Sequence, residues 1–123
     1  MTNNHSDTGK LFIVATPIGN RGDITNRALE ILSECDLVAA EDTRKTNSLL
    51  TSYGLKKKIH SIHDNNEEQS SKKLMKKLLN GFSIALVCDA GTPCISDPGY
   101  RLIKLAHEEG IKTYPVPGPT SIV

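Results

Sequence analysis

The chain has 123 residues, of which 37% are hydrophobic, 24% charged and 4% aromatic, with no tryptophan. This length and composition predict one globular domain with its own core, and they exclude collagen-like and low-complexity chains. The formal net charge of +1 argues against a surface that binds polyanions everywhere, but it leaves local basic patches open. Three cysteines fit no disulfide framework and predict reduced thiols.

No stretch of the chain predicts export or membrane insertion. Residues 1–10 are polar and lack the apolar segment of a signal peptide, and no apolar run approaches the ~20 residues of a membrane span. We therefore expect a cytoplasmic protein that does not bind a membrane. His60-x-x-His63 is the only spacing that suggests a metal site, and no further ligand is placed to complete it, so no metal is expected.

Strands and helices are predicted in alternation from the start of the chain. A disordered head over residues 1–10 precedes a continuous apolar run at 11–16, which is typical of a strand buried on both faces. Apolar residues then recur at helical spacing over 24–32, with Asp23 or Thr25 as the N-cap.

The second half of the pattern continues in the same way. A strand at 37–40 precedes a helix at 43–53, which Gly54 closes, and a weaker strand at 59–62 precedes a helix at 67–80. A buried strand at 83–88, a helix at 98–109 capped by Asp97, and a strand at 113–116 follow. This alternation predicts an α/β fold, a three-layer sandwich with a mostly parallel sheet of about five strands, in a single domain over 11–123.

Three loops rich in glycine and proline, at residues 16–23, 89–99 and 115–121, follow predicted strands. Parallel sheets bind ligands outside the carboxyl ends of their strands, where glycine lets a ligand approach the backbone. Such loops also occur where the chain merely turns, but three of them at one sheet edge favour a ligand site. The spacing Gly19-x-x-Gly22 disfavours a dinucleotide fingerprint, and the absence of G-x-x-x-x-G-K-[ST] excludes a P-loop.

Glu41 lies about 20 residues past the first loop, where a ribose-binding acid would belong. A solvated strand end explains this residue equally well. The residues by themselves therefore indicate an α/β domain that binds a small nucleoside-like ligand, and they name no reaction.

Four ordered motifs carry a resemblance to a known family. They are TPIGNRGDITNRAL at 16–29, AEDTR at 40–44, DAGTPCISDPG at 89–99 and VPGP at 116–119. Together they resemble the amino-terminal domain of the tetrapyrrole-methylase superfamily, in its branch that methylates ribosomal RNA, over nearly everything from residue 10 to residue 123. The resemblance implies S-adenosylmethionine as cofactor and 2′-O-methylation of a cytidine ribose in the decoding region of 16S rRNA. It also implies a homodimer for the full-length protein.

The resemblance assigns donor binding to the three loops. The implied cofactor-binding residues are Pro17, Gly19, Gly91, Thr92, Pro93, Pro117 and Gly118. Thr92 replaces the acid of the superfamily's G-D-P loop, which weakens a tetrapyrrole-specific interpretation. In the superfamily a second α/β domain forms the other side of the donor cleft, and these 123 residues do not include it. We therefore expect a fragment that is inactive alone and binds the donor weakly or undetectably.

A ribose hydroxyl needs a general base or an electropositive site before it can attack a methyl group. Asp89 and Glu41 are the candidate catalytic residues because both fall at loop edges. Asp42 and Asp97 share that placement, but each also fits the N-cap of a helix.

Positive charge is concentrated in residues 55–81, where seven lysines stand against three acidic residues for a net charge of +4, while the rest carries −3. Arg21, Arg44, Lys72 and Lys76 are candidate RNA contacts because guanidinium and ammonium groups bind phosphate oxygens. The arginines could instead pair with neighbouring acids, and the lysines also fit a solvated helix face. With so few aromatic residues, backbone contacts are favoured over base stacking.

Two other functions stay open. One is a methyltransferase of a tetrapyrrole or another small molecule, which would have no need for the lysine-rich segment. The other is a nucleotide-binding regulatory module without catalysis.

Overall fold

A computed structural model of the chain describes residues 8–16, 24–63, 65–89 and 99–116, with only the backbone of Asp89. Five strands occur in those ranges: β1 (Lys10–Thr16), β2 (Leu37–Ala40), β3 (Ile59–Ser61), β4 (Ile84–Asp89) and β5 (Lys112–Val116). Four helices alternate with them: α1 (Asn26–Glu34), α2 (Thr43–Ser52), α3 (Glu67–Leu79) and α4 (Gly99–Glu108). Every strand and helix that the hydrophobic pattern predicts is present, with bounds that differ by at most two residues.

The strands form one fully parallel sheet in the order β3-β2-β4-β1-β5. β4 lies at the centre, where Ile84 is the register partner of Leu37 on one side and Leu11 on the other. Central strands need apolar residues on both faces, which explains why the runs at 11–16 and 83–88 contain so few polar residues.

Helices cover both faces of the sheet. Alternate residues of β4 separate into two cores: Ile84 and Leu86 pack with α3 and α4, whereas Ala85 packs with α1 and α2. This alternation follows from the two-residue period of a strand. The three-layer α/β sandwich predicted from the sequence is confirmed.

Side chains at the helix starts decide two alternatives that the sequence left open. Thr25 Oγ1 accepts a hydrogen bond from the Ala28 amide (3.1 Å), so Thr25 caps α1. Asp42 Oδ1 accepts from the Lys45 amide (2.9 Å) and caps α2. Asp97, the predicted cap of the last helix, lies outside the described residues.

The start of β1 is packed more tightly than predicted. The strand begins at Lys10, one residue early, and the buried Gly9 before it donates its N–H to the Leu78 carbonyl (2.7 Å). A Cβ on Gly9 would lie 1.7 Å from the Phe82 carbonyl oxygen, so this position accepts no side chain. Of the disordered head predicted at residues 1–10, residues 1–7 lie outside the described ranges, whereas residues 8–10 include the buried Gly9 and the start of β1.

The prediction of three reduced thiols is contradicted at Cys88. Cys35 is free and buried, as expected, but Cys88 at the end of β4 is disulfide-bonded. Cysteine number and compartment describe the chain as a whole, whereas a disulfide depends on whether two thiols lie within bonding distance. Cys94, the remaining cysteine, lies outside the described residues.

In the described part of the chain, no helix combines the length and apolar character needed to cross a membrane.

Candidate functional site

The three loops rich in glycine and proline leave the same edge of the sheet from neighbouring strands. β4, β1 and β5 are adjacent and parallel, so their carboxyl ends lie side by side. Thr16 is the register partner of Asp89, and Val14 that of Val116. The fold therefore brings together the starting points of all three loops, as the sequence predicts for a ligand site.

The ends of β1 and β4 form a topological switch point of the sheet. After β1 the chain crosses through α1 on one face of the sheet towards β2, and after β4 it crosses through α4 on the opposite face towards β5. Two adjacent strands whose connections leave in opposite directions define the switch point at which open parallel sheets bind their ligands. The candidate site is therefore the β1–β4 switch point.

The side chain of Thr16 joins the two strands at this point. Thr16 is 7% exposed, and its Oγ1 donates to the Cys88 carbonyl oxygen at 3.3 Å. The bond fixes the end of β1 against the end of β4. Sequence reasoning did not single out this role, because the partner lies 72 residues away; the only signal is a hydroxyl at the end of an apolar strand.

All seven predicted donor-binding residues lie outside the part of the chain that the structure describes. They are Pro17, Gly19, Gly91, Thr92, Pro93, Pro117 and Gly118, and the predicted RNA contact Arg21 lies outside it as well. Their roles stay predictions. Asp89 is placed through its backbone as the last residue of β4, directly at the switch point.

Glu41 shares this edge of the sheet. Ala40 is the register partner of Val87, so Glu41 follows the end of β2 beside β4, and it is exposed to solvent. Asp42 next to it is occupied as the cap of α2. Of the two neighbouring acids, Glu41 is therefore the one whose carboxylate is not needed to start a helix.

Arg44 lies in the first turn of α2 and lines a shallow surface groove. The groove has a volume of about 330 Å³ and is lined by Thr43, Arg44, Asn47, Lys57 and Ile59. Its second cation, Lys57, donates from Nζ to the Cys35 carbonyl oxygen at 2.6 Å. Arg44 and Lys57 make the lining of this groove basic.

Lys72 and Lys76 lie on α3, in the opposite helix layer from Arg44, so the structure does not bring the predicted RNA contacts into one surface. Both lysines are exposed, and Lys72 Nζ lies 3.6 Å from Glu68 Oε2 one turn earlier. Pairs this exposed are worth little in stability, but the carboxylate offsets part of the charge offered to a phosphate.

Among the described residues, no group of three or more histidine, cysteine or acidic side chains could hold a metal ion. His63 Nδ1 instead accepts from the Asn65 amide at 3.2 Å, and the His63 amide donates to Asn66 Oδ1 at 2.8 Å. The His60-x-x-His63 spacing thus coincides with a turn that leads into α3.

A family model for tetrapyrrole (corrin/porphyrin) methylases matches residues 10–123 of the chain. The chain belongs to this methylase family. The match begins with β1 and includes all three loops at the switch point.

Curated relatives are similar over almost the whole chain. The protein named ribosomal RNA small subunit methyltransferase I from Vibrio cholerae is 52% identical over 113 residues, which cover 92% of this chain and 39% of the relative. The protein of the same name from Halalkalibacterium halodurans is 50% identical over 117 residues, which cover 95% of this chain and 40% of that relative. The chain therefore spans about two fifths of the length of these methylase relatives.

Solved structures confirm the methylase fold at much lower identity. Uroporphyrin-III-C-methyltransferase from Thermus thermophilus aligns with a TM-score of 0.66 and 20% identity, over 92% of this chain and 49% of that one. A conserved hypothetical protein from Aeropyrum pernix K1 aligns with a TM-score of 0.70 and 20% identity, over 92% and 40%. At this identity the likeness concerns the fold alone.

Proposed function

We propose that the protein containing this chain transfers a methyl group from S-adenosylmethionine to the ribose 2′-hydroxyl of a cytidine in the decoding region of 16S rRNA. One observation carries the proposal: relatives named for small-subunit rRNA methylation are 50–52% identical to this chain over more than 90% of its length. We place this reaction in the cytoplasm, on the small ribosomal subunit.

The carboxyl edge of an open parallel sheet is where such folds bind nucleoside-like ligands, which supports a methyl donor at this edge. The switch point lies between β1 and β4, whose ends are joined by the hydrogen bond from Thr16 Oγ1 to the Cys88 carbonyl oxygen. When bound, the donor supplies a methyl group already activated by a sulfonium. The residues proposed to hold it are Pro17, Gly19, Gly91, Thr92, Pro93, Pro117 and Gly118.

The chain's own task is then to orient the ribose and remove one proton from its 2′-oxygen. We propose Asp89 or Glu41 as the base that accepts this proton. Asp89 ends β4 at the switch point, and Glu41 ends β2 beside it. Arg21 and Arg44 are proposed as phosphate contacts that hold the RNA, and Lys72 and Lys76 as weaker ones, because Glu68 offsets part of the positive charge of Lys72.

A methylation assay with the full-length protein and small subunits that lack the modification tests the proposal. Asp89→Asn or Glu41→Gln should reduce transfer by ~10²–10⁴-fold if that residue is the base. Glu108→Gln, which neutralises an exposed acid near the end of α4, is the matched control and should leave transfer unchanged.

Two results would favour the other functions. Methylation of a tetrapyrrole precursor but not of the subunits would assign a small-molecule methyltransferase. Tight donor binding without transfer to either substrate would assign a regulatory module.

Calorimetric titration tests the proposed division of the cleft between this chain and the rest of the relatives' length. We expect the 123-residue chain to bind S-adenosylmethionine weakly or undetectably, because one wall of the cleft would lie in that remaining length. Micromolar affinity for the isolated 123 residues would contradict this expectation.

A further inference from the structure

The outermost strand of the sheet carries a cluster of cations. β3 is the edge strand on one side of the described sheet. The next element in the chain, α3, connects β3 to β4 and runs antiparallel to both strands. Ser70 Oγ donates to the Ser61 carbonyl oxygen at 3.1 Å, and Asn66 Nδ2 donates to the same oxygen at 3.2 Å. These bonds fix the first turn of α3 against the end of β3.

The helical repeat then places two lysines over the strand. Lys73 and Lys77 follow Ser70 by three and seven residues, so all three lie on one stripe of α3. Because helix and strand run in opposite directions, this stripe runs from Ser61 at the end of β3 towards the amino-terminal edge of the sheet, where the exposed Lys58 precedes β3 and Phe82 precedes β4.

The electrostatics of His60, in the middle of β3, report the same cluster. Burial lowers the pKa of the His60 imidazole, and the positive charges of Lys73, Lys77 and Lys58 lower it further. Three cations from the helix and the strand therefore act on one point of the surface.

No acidic side chain among the described residues compensates these three lysines. The ion pairs in that part of the chain join Arg27 to Glu30, Lys72 to Glu68 and Arg101 to Glu67. Lys77 instead has its Nζ 5.1 Å from the ring centroid of Phe82, which is 42% exposed. Like charges held close together repel one another until an anion binds, so the cluster favours a polyanionic partner.

We propose that the surface formed by Lys58, His60, Lys73, Lys77 and Phe82, called here the β3-edge surface, binds the phosphate backbone of structured RNA. This inference rests on the proposed rRNA substrate and assigns that substrate a contact outside the β1–β4 switch point. Lys73 and Lys77 are separated by one helical turn, about 6 Å along the axis, which is comparable to the spacing of successive phosphates on one strand. The inference differs from the sequence prediction, which favoured Lys72 and Lys76 on the neighbouring stripe of the same helix.

The test compares two stripes of one helix. A fluorescein-labelled hairpin with the decoding-region sequence is titrated with the 123-residue chain, and binding is followed by fluorescence anisotropy at several salt concentrations. Lys73→Gln with Lys77→Gln should weaken binding roughly tenfold and reduce the slope of log K against log salt by about 1.4–1.8, as expected for two lost phosphate contacts. Lys72→Gln with Lys76→Gln should have a clearly smaller effect.

Two controls separate charge from structure. Lys104→Gln with Lys112→Gln removes the same charge from exposed positions on α4 and β5 and should change the affinity less than twofold. Lys73→Arg with Lys77→Arg keeps the charge and should restore binding, which the loss of a purely structural contact would not explain.

Three results would overturn the inference. If the Lys72/Lys76 double variant loses as much or more RNA affinity, the phosphate contact lies on the neighbouring stripe. If the Lys73/Lys77 double variant binds RNA with unchanged affinity, this stripe of α3 does not contact the RNA. Polyglutamate binding as tight as that of the hairpin would assign the surface to acidic proteins. The anisotropy measurement does not require S-adenosylmethionine, so it is independent of methyl transfer. Absence of methyl transfer with intact RNA binding would therefore count against the proposed function but not against this inference.

Discussion

Gly99, the first residue of α4, is packed too closely against the sheet to accept a side chain without movement. A Cβ at this position would lie 2.9 Å from Leu86 Cδ2 and 3.2 Å from Leu86 Cδ1. Carbon atoms normally approach to ~3.5–4.0 Å, so Gly99→Ala requires a shift of roughly 0.6 Å or more. Leu86 is only 2% exposed, in the core below α3 and α4, and has little room to move.

The cost of this shift can be separated from backbone effects. Gly99 is not among the described glycines with positive φ, so alanine is compatible with its backbone conformation. Overpacking a core costs about 1–3 kcal/mol, and the better helix propensity of alanine returns up to about 1 kcal/mol. We therefore expect Gly99→Ala to lower the free energy of unfolding by about 1–2 kcal/mol and Tm by roughly 4–8 °C.

A double-mutant cycle with Leu86→Val tests this reasoning by urea denaturation. Valine lacks the two Cδ atoms that the new Cβ would meet, so Gly99→Ala should be neutral or slightly stabilising in that background. The expected interaction energy between the two sites is about 1–2 kcal/mol. An equal cost of Gly99→Ala in both backgrounds would refute the steric explanation, as would a cost below ~0.5 kcal/mol in the otherwise unchanged chain.

Three further predictions concern helix capping, pH and thiol reactivity. Thr25→Ala should lower the free energy of unfolding by about 1 kcal/mol in urea denaturation, while Thr25→Ser keeps the cap and most of the stability. The pKa of His60 is lowered from 6.5 by folding, so the unfolded chain binds a proton more readily and stability should fall as pH drops below that value. His60→Gln should reduce this loss of Tm, whereas the exposed His107→Gln should not; equal pH profiles for both variants would contradict the assignment. Burial raises the pKa of the Cys35 thiol, although the positive charge of Lys57 partly lowers it. Mass spectrometry should therefore detect alkylation of Cys35 by iodoacetamide only after the chain is unfolded.

The strands and helices were predictable because the interior of each one has a single dominant spacing of apolar residues. The run at 83–88 is apolar on both faces since helices cover both faces of β4, and that pattern survives in the sequence. The ends of strands are harder to predict where a residue is buried but lies just outside the strand. Ile62, predicted as part of the third strand, follows β3, yet it is buried and its amide donates to the Ala40 carbonyl at 3.0 Å.

The candidate site was predictable only to the level of an edge and its loops. Motif spacing and parallel topology place the loops together, but the Thr16–Cys88 bond joins residues far apart in sequence, and its only local signal is a hydroxyl at the end of an apolar strand. The α3 lysines show the same limit. Helical periodicity defines a polar face containing Lys72, Lys73, Lys76 and Lys77, but which stripe of that face lies along β3 depends on the rotation of the helix. The bonds of Ser70 and Asn66 to Ser61 provide that information.

The order of the strands relates the two proposed surfaces to one another. β3 is three strands from β1, which at about 4.8 Å per strand separates these two strands by roughly 14 Å across the sheet. The β3-edge surface also extends towards the start of β3, whereas the switch point lies at the carboxyl ends of β1 and β4. An RNA held at this surface would therefore have to run along β3 to the carboxyl edge and past the end of β2 to bring a ribose to the switch point. Glu41 and Arg44 lie at the end of β2 and the start of α2, on that path. In this arrangement the β3-edge surface binds the RNA phosphate backbone, and methyl transfer takes place at the β1–β4 switch point. RNA binding and methyl transfer can therefore be changed by separate substitutions.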